Sequence, residues 1–144
     1  KQVIKEVKEI GFRVRTSFIF DLPTTTKEDM QKTINFILET EPDEIRGHFL
    51  ALRLGTTIYN KLAKEKEIPT QYIHSDKPLI ENEKYTNSEM LQDIETLISK
   101  LKDKEYKIVK NVKEWENLES LRNKEGKIKF LSFCPSKYGI DWEK

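Results

Sequence analysis

The sequence predicts an α/β fold built from consecutive parallel β/α units, and three observations carry that expectation. Phe12 to Phe20 is dense in β-branched and aromatic residues and closes on Phe18-Ile19-Phe20 with no polar gap, the pattern of a strand covered on both faces, as in a parallel sheet. A capped helix follows, and Ile45 to Leu54 then reads as a second strand. Gly55 marks a further turn, with a helix from about Thr57 to Glu65. Two strands joined by a helical crossover pair in parallel with a right-handed connection. The stretch from Gly11 to Tyr59 therefore looks like two units cut from a barrel.

Each element has its own local reason. Val3, Ile4, Val7 and Ile10 form one apolar stripe with Lys and Glu opposite, so residues 1–10 read as the last turns of a helix, and Gly11 sits at the C′ position. Pro23 stops the first strand. Thr26 with Asp29, or Thr25 with Glu28, gives a capping box, after which Met30, Ile34, Ile37 and Leu38 share one helix face up to about Glu39. Pro42-Asp43 closes that helix. Ile68 to Lys84 carries Pro69, Pro78 and Asn82 with little periodicity and reads as an irregular connection. Thr86 with Glu89 caps the strongest amphipathic helix, marked by Met90, Leu91, Ile94, Leu97, Ile98 and Leu101. Tyr106 to Val109 reads as a short strand, Trp115, Leu118 and Leu121 mark a helix ending near Gly126, and Ile128 to Phe133 reads as a strand. The expected division is β/α units over 1–68 and a mostly helical extension with one or two short strands over 69–144.

Composition narrows the function classes. A formal net charge of +1 gives little long-range pull on polyanions, and the lysines of Lys100 to Lys113 are interleaved with Asp103 and Glu105, so they read as a solvated face and no nucleic-acid partner is expected. No apolar run approaches the roughly 20 residues of a membrane span, and no membrane partner is expected. The single cysteine, Cys134, forms no internal disulfide and cannot alone hold an iron–sulfur cluster or zinc. A reducing, cytoplasmic setting follows as an expectation. The chain opens inside an apparent helix without an initiator Met.

Self-sufficient catalytic sets are scarce. The histidines, His48 and His74, lack metal-site spacing; His48 lies in the second strand, where it serves either a cleft or, more commonly for such a residue, a structural bond. Cys134 before Pro135 reads as a buried thiol. Asp21 stands at the C-terminal end of a buried parallel strand, where open α/β sheets and barrels place ligand groups, or else accepts bonds from the Thr24-to-Thr26 turn. Arg13 and Arg15 share a strand face, Arg46 begins the second strand, and Arg53 at its outlet is positioned to pair with Asp21 or to bind a polar substrate group.

The run Phe18-Ile19-Phe20-Asp21-Leu22-Pro23-Thr24-Thr25-Thr26-Lys27-Glu28-Asp29 resembles the Phe-Ile-x-Gly-Leu-Pro-Gly-Glu-Thr-x-x-Asp segment of radical S-adenosylmethionine (SAM) enzymes, in the branch with cobalamin-binding and coproporphyrinogen-dehydrogenase-like members. Leu52-Arg53-Leu54-Gly55-Thr56-Thr57-Ile58-Tyr59 is similar to that branch's Pro-Gly-Thr-x-Leu-Tyr ending of the next strand, at a fitting distance. The resemblance covers about the first 70 residues. It implies the fifth and sixth strands of a partial (β/α)6 barrel, with Ile19 and the backbone around Ser17 and Asp21 beside the SAM adenine and Leu52 near the same ligand; Arg53 and His48 are expected toward substrate from their own positions on the second strand. The family's chemistry is reductive cleavage of SAM by a [4Fe–4S] cluster, giving a 5′-deoxyadenosyl radical that abstracts hydrogen from substrate; cobalamin is used by some members. Asp21 replaces the usual glycine, Thr24-Thr25 replace Gly-Glu, Leu54 replaces proline, and the Cys-x3-Cys-x2-Cys motif is absent from this chain.

The resemblance therefore implies a C-terminal portion of such an enzyme, a wall of the SAM and substrate cleft that cannot perform the radical step alone and whose partner is the remainder of the barrel. The competing expectation is a non-catalytic interaction module that docks a partner through Leu91, Ile94, Ile98 and Leu101. A third is a different α/β enzyme working through Asp21, Arg53 and His48. Two parallel strands with few neighbours would also leave open edges, which predicts self-association unless Ile128 to Phe133 covers one.

Overall fold

The computed structural model describes residues 1–65, 78, 84–125 and 128–133. The expectations for Ile68 to Lys84 therefore fall mostly outside the described residues, and those for His74 and Cys134 fall outside them entirely. Described elements run, in order, α1 (Gln2–Glu9), β1 (Arg15–Ile19), α2 (Lys27–Thr40), β2 (Glu44–His48), α3 (Thr57–Glu65), α4 (Asn87–Asp103), β3 (Lys107–Val109), α5 (Val112–Glu125) and β4 (Phe130–Ser132). The four strands form one parallel sheet in the order β1-β2-β4-β3. The chain is thus α/β, and the two short strands expected in its second half belong to the same sheet as the first two. Ile128 to Phe133 does cover an edge: its strand β4 pairs with β2, Ile45 beside Leu131.

The local signals account for the helix ends. The Gly11 amide donates to Lys8 O and the Phe12 amide to Val7 O, with Gly11 at φ 91°. This Schellman pairing closes α1 and needs a left-handed residue, which glycine supplies without steric cost. Thr26 and Asp29 complete the capping box of α2, as do Thr86 and Glu89 for α4. The hydroxyl and backbone amide of Thr26 hold the Asp29 carboxyl below its ordinary pKa. α2 ends on Glu41, at φ 43°. Its carboxylate binds Lys104 and Lys129, tying the end of α2 to the end of α4 and the approach to β4. These two lysines lower the Glu41 pKa, the Lys104 bond contributing most.

Strand alternation divides the core into two layers. Phe20, Ile45 and Leu131 join Met30, Ile34 and Ile37 of α2 and Met90, Ile94, Leu97 and Leu101 of α4 in the main cluster. Phe18, Ile108 and Ile98 pack against it. The interaction face expected on α4 is therefore mostly spent in the chain's own core, with only Leu91 exposed. Val109 and Phe130 point the opposite way, into a smaller cluster with Ile128 and Leu118, against which Trp115 packs. So α2 and α4 cover one face of the sheet and α5 covers part of the other. The connections explain this: β1 to β2 and β3 to β4 step across the sheet in opposite directions, and one right-handed crossover rule then sends α2 and α5 to opposite faces. A barrel keeps all its helices outside. β1-α2-β2 follows that pattern; β3-α5-β4 does not.

Two strand expectations need correction. β1 is not covered on both faces: Arg15, Ser17 and Ile19 are exposed while Thr16 and Phe18 are partly buried, because α5 sits over β3 and β4 and leaves the β1 end of that face bare. The second strand stops at His48 and does not continue to Leu54. Its last ladder bond is Phe20 N–H to His48 O, 3.0 Å. The next amide, Leu50, donates to the Asp21 carboxylate instead, so side-chain capture ends the pairing. Leu50 and Leu52 then turn into a satellite cluster with Tyr59 and Leu62 of α3.

Candidate functional site

The partly bare sheet face carries the chain's polar residues in rows set by the register. Arg15 lies beside Glu44, Ser17 beside Arg46, and Ile19 beside His48, with Ser132 on the far side of Arg46. The rows run from the strands' N-terminal ends to their C-terminal ends. The face is thus ionic at the bottom, mixed in the middle, and presents Ile19 and His48 at the outlet, where α/β sheets bind ligands.

The ionic row is built around a buried carboxylate. Glu44 keeps only 3 % of its side-chain surface exposed, with Arg15 Nε at 2.6 Å and Arg13 Nε at 3.8 Å. A lone carboxylate there would carry a heavy desolvation cost, and the two guanidiniums offset it. Arg13 also donates to Ile128 O at 2.7 Å, tying the approach of β1 to that of β4. In the next row the Arg46 guanidinium lies 5.1 Å from the Trp115 ring centroid, and Trp115 meets Phe130 edge-on at 5.4 Å. The cation packs against the indole of α5, which closes this end of the face. Among the polar groups of this face, Glu44 was not singled out in the sequence, although the β1–β2 register places it directly beside Arg15. In the sequence Trp115 marks only a helix, and its packing on Arg46 depends on α5 crossing to the opposite face.

At the outlet the expected site residues part company. Ile19 is 50 % exposed and Ser17 is exposed on the same face. His48 is half-buried in the row of Ile19. Asp21 is buried, and its Oδ1 joins the two strand outlets by accepting from the Leu50 amide. Leu52 is buried beside α3, so its side chain does not line the sheet face. Arg53 is exposed, and its carbonyl accepts from the Thr56 amide and hydroxyl at 3.2 and 2.8 Å in the turn that opens α3. The Leu22-Pro23-Thr24-Thr25 turn is closed by Thr25 N–H to Leu22 O, 2.9 Å. Beside it lies a cleft of about 210 Å³ lined by Ile19, Phe20, Leu22, Thr24, Thr25, Asp29, Met30 and Thr33. Ligand sites span roughly 300–1,000 Å³, so this cleft is smaller than a site for a whole ligand. Among the described residues no group of three or more His, Cys, Asp or Glu is arranged to hold a metal ion, and no helix is long and apolar enough to cross a membrane.

Comparison of the chain with protein-family models, with curated proteins and with solved structures gives no match.

Proposed function

We propose that the chain forms part of the SAM and substrate cleft of a radical SAM enzyme, supplying two β/α units of the barrel wall, with the [4Fe–4S] cluster, and any cobalamin, held by segments other than this one. The observation that carries the reading is the combination of the Phe18-to-Asp29 and Leu52-to-Tyr59 motifs with a parallel β1-α2-β2 unit whose non-helical face is polar and bare at the β1 end. A barrel lumen needs such a face, and a sheet sealed on both sides would not have one.

Each residue then has a part to play. Ile19 and the Ser17 and Asp21 backbone flank the adenine at the outlet of β1. The buried Asp21 carboxylate fixes the two outlets relative to one another through Leu50. His48 and Arg53 face substrate. Leu52 contributes to the ligand wall through its backbone, since its side chain is packed beside α3. When bound, the cluster supplies the electron that cleaves SAM.

The test joins this chain to the reading frame that precedes it. Iron–sulfur absorbance lost on replacing the cysteines of a Cys-x3-Cys-x2-Cys motif by Ser is expected, with 5′-deoxyadenosine released from SAM under reduction. Ile19→Arg is expected to raise the KM for SAM with the iron content unchanged. A preceding frame without those cysteines, or SAM cleavage indifferent to Ile19→Arg, would overturn the proposal.

A further inference from the structure

The outer edge of β1 is self-complementary. Val14 O accepts from the Glu44 amide and the Phe20 amide donates to His48 O, so the backbone groups of the even residues from Val14 to Phe20 face β2. By the parity of a parallel ladder, those of Arg15, Ser17 and Ile19 face the other way. Among the described residues no strand pairs with that side.

Edges of this kind are normally guarded by charge. Here the one charged side chain on the strand, Arg15, is drawn back across the sheet to Glu44 on β2. What remains at the edge is the exposed Ser17 and the half-exposed Ile19. Just beyond the strand ends stand two more exposed apolar residues, Phe12 at 66 % and Leu22 at 39 %. The sheet's other edge differs: β3 is only three residues long and begins on an exposed lysine, Lys107.

The geometry points to a second copy of this chain as the occupant, paired antiparallel through β1 about a two-fold axis at Ser17. A two-fold requires each patch to meet itself, and the register centred on Ser17 satisfies every feature of the edge. Ser17 meets Ser17, Arg15 meets Ile19, and each of these outward pairs exchanges two hydrogen bonds. At the ends the same register brings Phe12 of one copy toward Leu22 of the other. A register centred on Arg15 would oppose two cations, and one centred on Ile19 would carry Arg15 past the strand end toward Pro23, which has no amide to give. The inference concerns the edge itself and does not depend on the radical SAM reading; a preceding barrel strand paired with β1 would compete for the same groups.

Cross-linking reads the register directly. In a Cys134→Ser background, Ser17→Cys chains are expected to form a disulfide-linked dimer on mild oxidation, since a directly opposed pair places its Cα atoms about 5.5 Å apart, within the disulfide range. Ile19→Cys chains are expected to stay unlinked, because their thiols would lie four residues apart along the strands, roughly 13 Å. Sedimentation of the unmodified chain is expected to show a concentration-dependent dimer, weakened about 5-fold by Ser17→Lys, which sets like charges face to face, with the circular dichroism unchanged. Linking of Ile19→Cys as fast as Ser17→Cys would indicate parallel pairing and overturn the inference. So would a monomer at every concentration, or the absence of a Ser17→Cys link.

Discussion

The two faces of the sheet arise from the same strands and the same alternation, yet they are treated oppositely. Toward α2 and α4 the strands present Phe18, Phe20, Ile45, Leu131 and Ile108, and that side is sealed by helices that bury Met30, Ile34, Ile37, Met90, Ile94, Leu97 and Leu101. Toward α5 they present Arg15, Ser17, Ile19, Glu44, Arg46 and His48, and only the β3–β4 end is covered, by Trp115 and Leu118. Apolar area removed from water supplies the folding free energy on the first face. The second face keeps its charges by pairing them, which preserves the fold without occupying the surface. The difference teaches where to look: the sealed face fixes the structure, and the bare end of the other is available to a ligand or another strand.

Substitutions on the sealed face should have the largest effect. Leu97 has no exposed surface and lies centrally in the main cluster, so Leu97→Ala is expected to lower stability by about 2–5 kcal/mol in chemical denaturation. A loss under ~1 kcal/mol would mean that this layer is loosely packed and the contrast between faces is weaker than described.

On the polar face, Glu44→Gln should cost about 1–2 kcal/mol, less than the roughly 3–5 kcal/mol of a fully buried pair, because Arg13 and Arg15 keep 28 % and 48 % of their side-chain surface in water. A neutral result would show that the ionic row is dispensable to the fold.

The smallest effect is a pH dependence at the sealed face's rim. Lys104 and Lys129 depress the Glu41 pKa from its ordinary 4.5 in the folded state. A depressed folded pKa gives stability that is present above the unfolded value and disappears as pH falls through the folded one. Thermal melts of the native chain and Glu41→Gln should therefore differ at pH 7, and the difference should shrink as the pH falls below 4.5 and through the depressed folded value; a constant offset would assign the difference to the backbone at this left-handed position.

Much of the sealed face was legible in the sequence. The i, i+4, i+7 spacing of Met30, Ile34 and Ile37, the capping boxes at Thr26 and Thr86, and the Gly11 stop are local signals, and the structure realises each of them. The limits of the strands were less legible. Phe18-Ile19-Phe20 looks doubly buried when read alone, yet Ile19 points to the bare face because no described element covers that end. Ile45 to Leu54 looks like one strand, and only the Asp21–Leu50 bond, between residues 29 apart, shows why it is cut at His48. The same holds for Glu44 and Trp115. Their partners are set by register and by the face that α5 takes, and both are long-range properties that no local window contains.

Residue-resolved amide hydrogen exchange of β1, in dilute solution where copies stay apart, tests the division most directly. The Thr16, Phe18 and Phe20 amides, bonded toward β2, are expected to exchange roughly 100-fold more slowly than those of Arg15, Ser17 and Ile19. Equal protection along the whole strand would contradict the account, since it would mean that the edge and face assigned to a partner are already closed within a single chain.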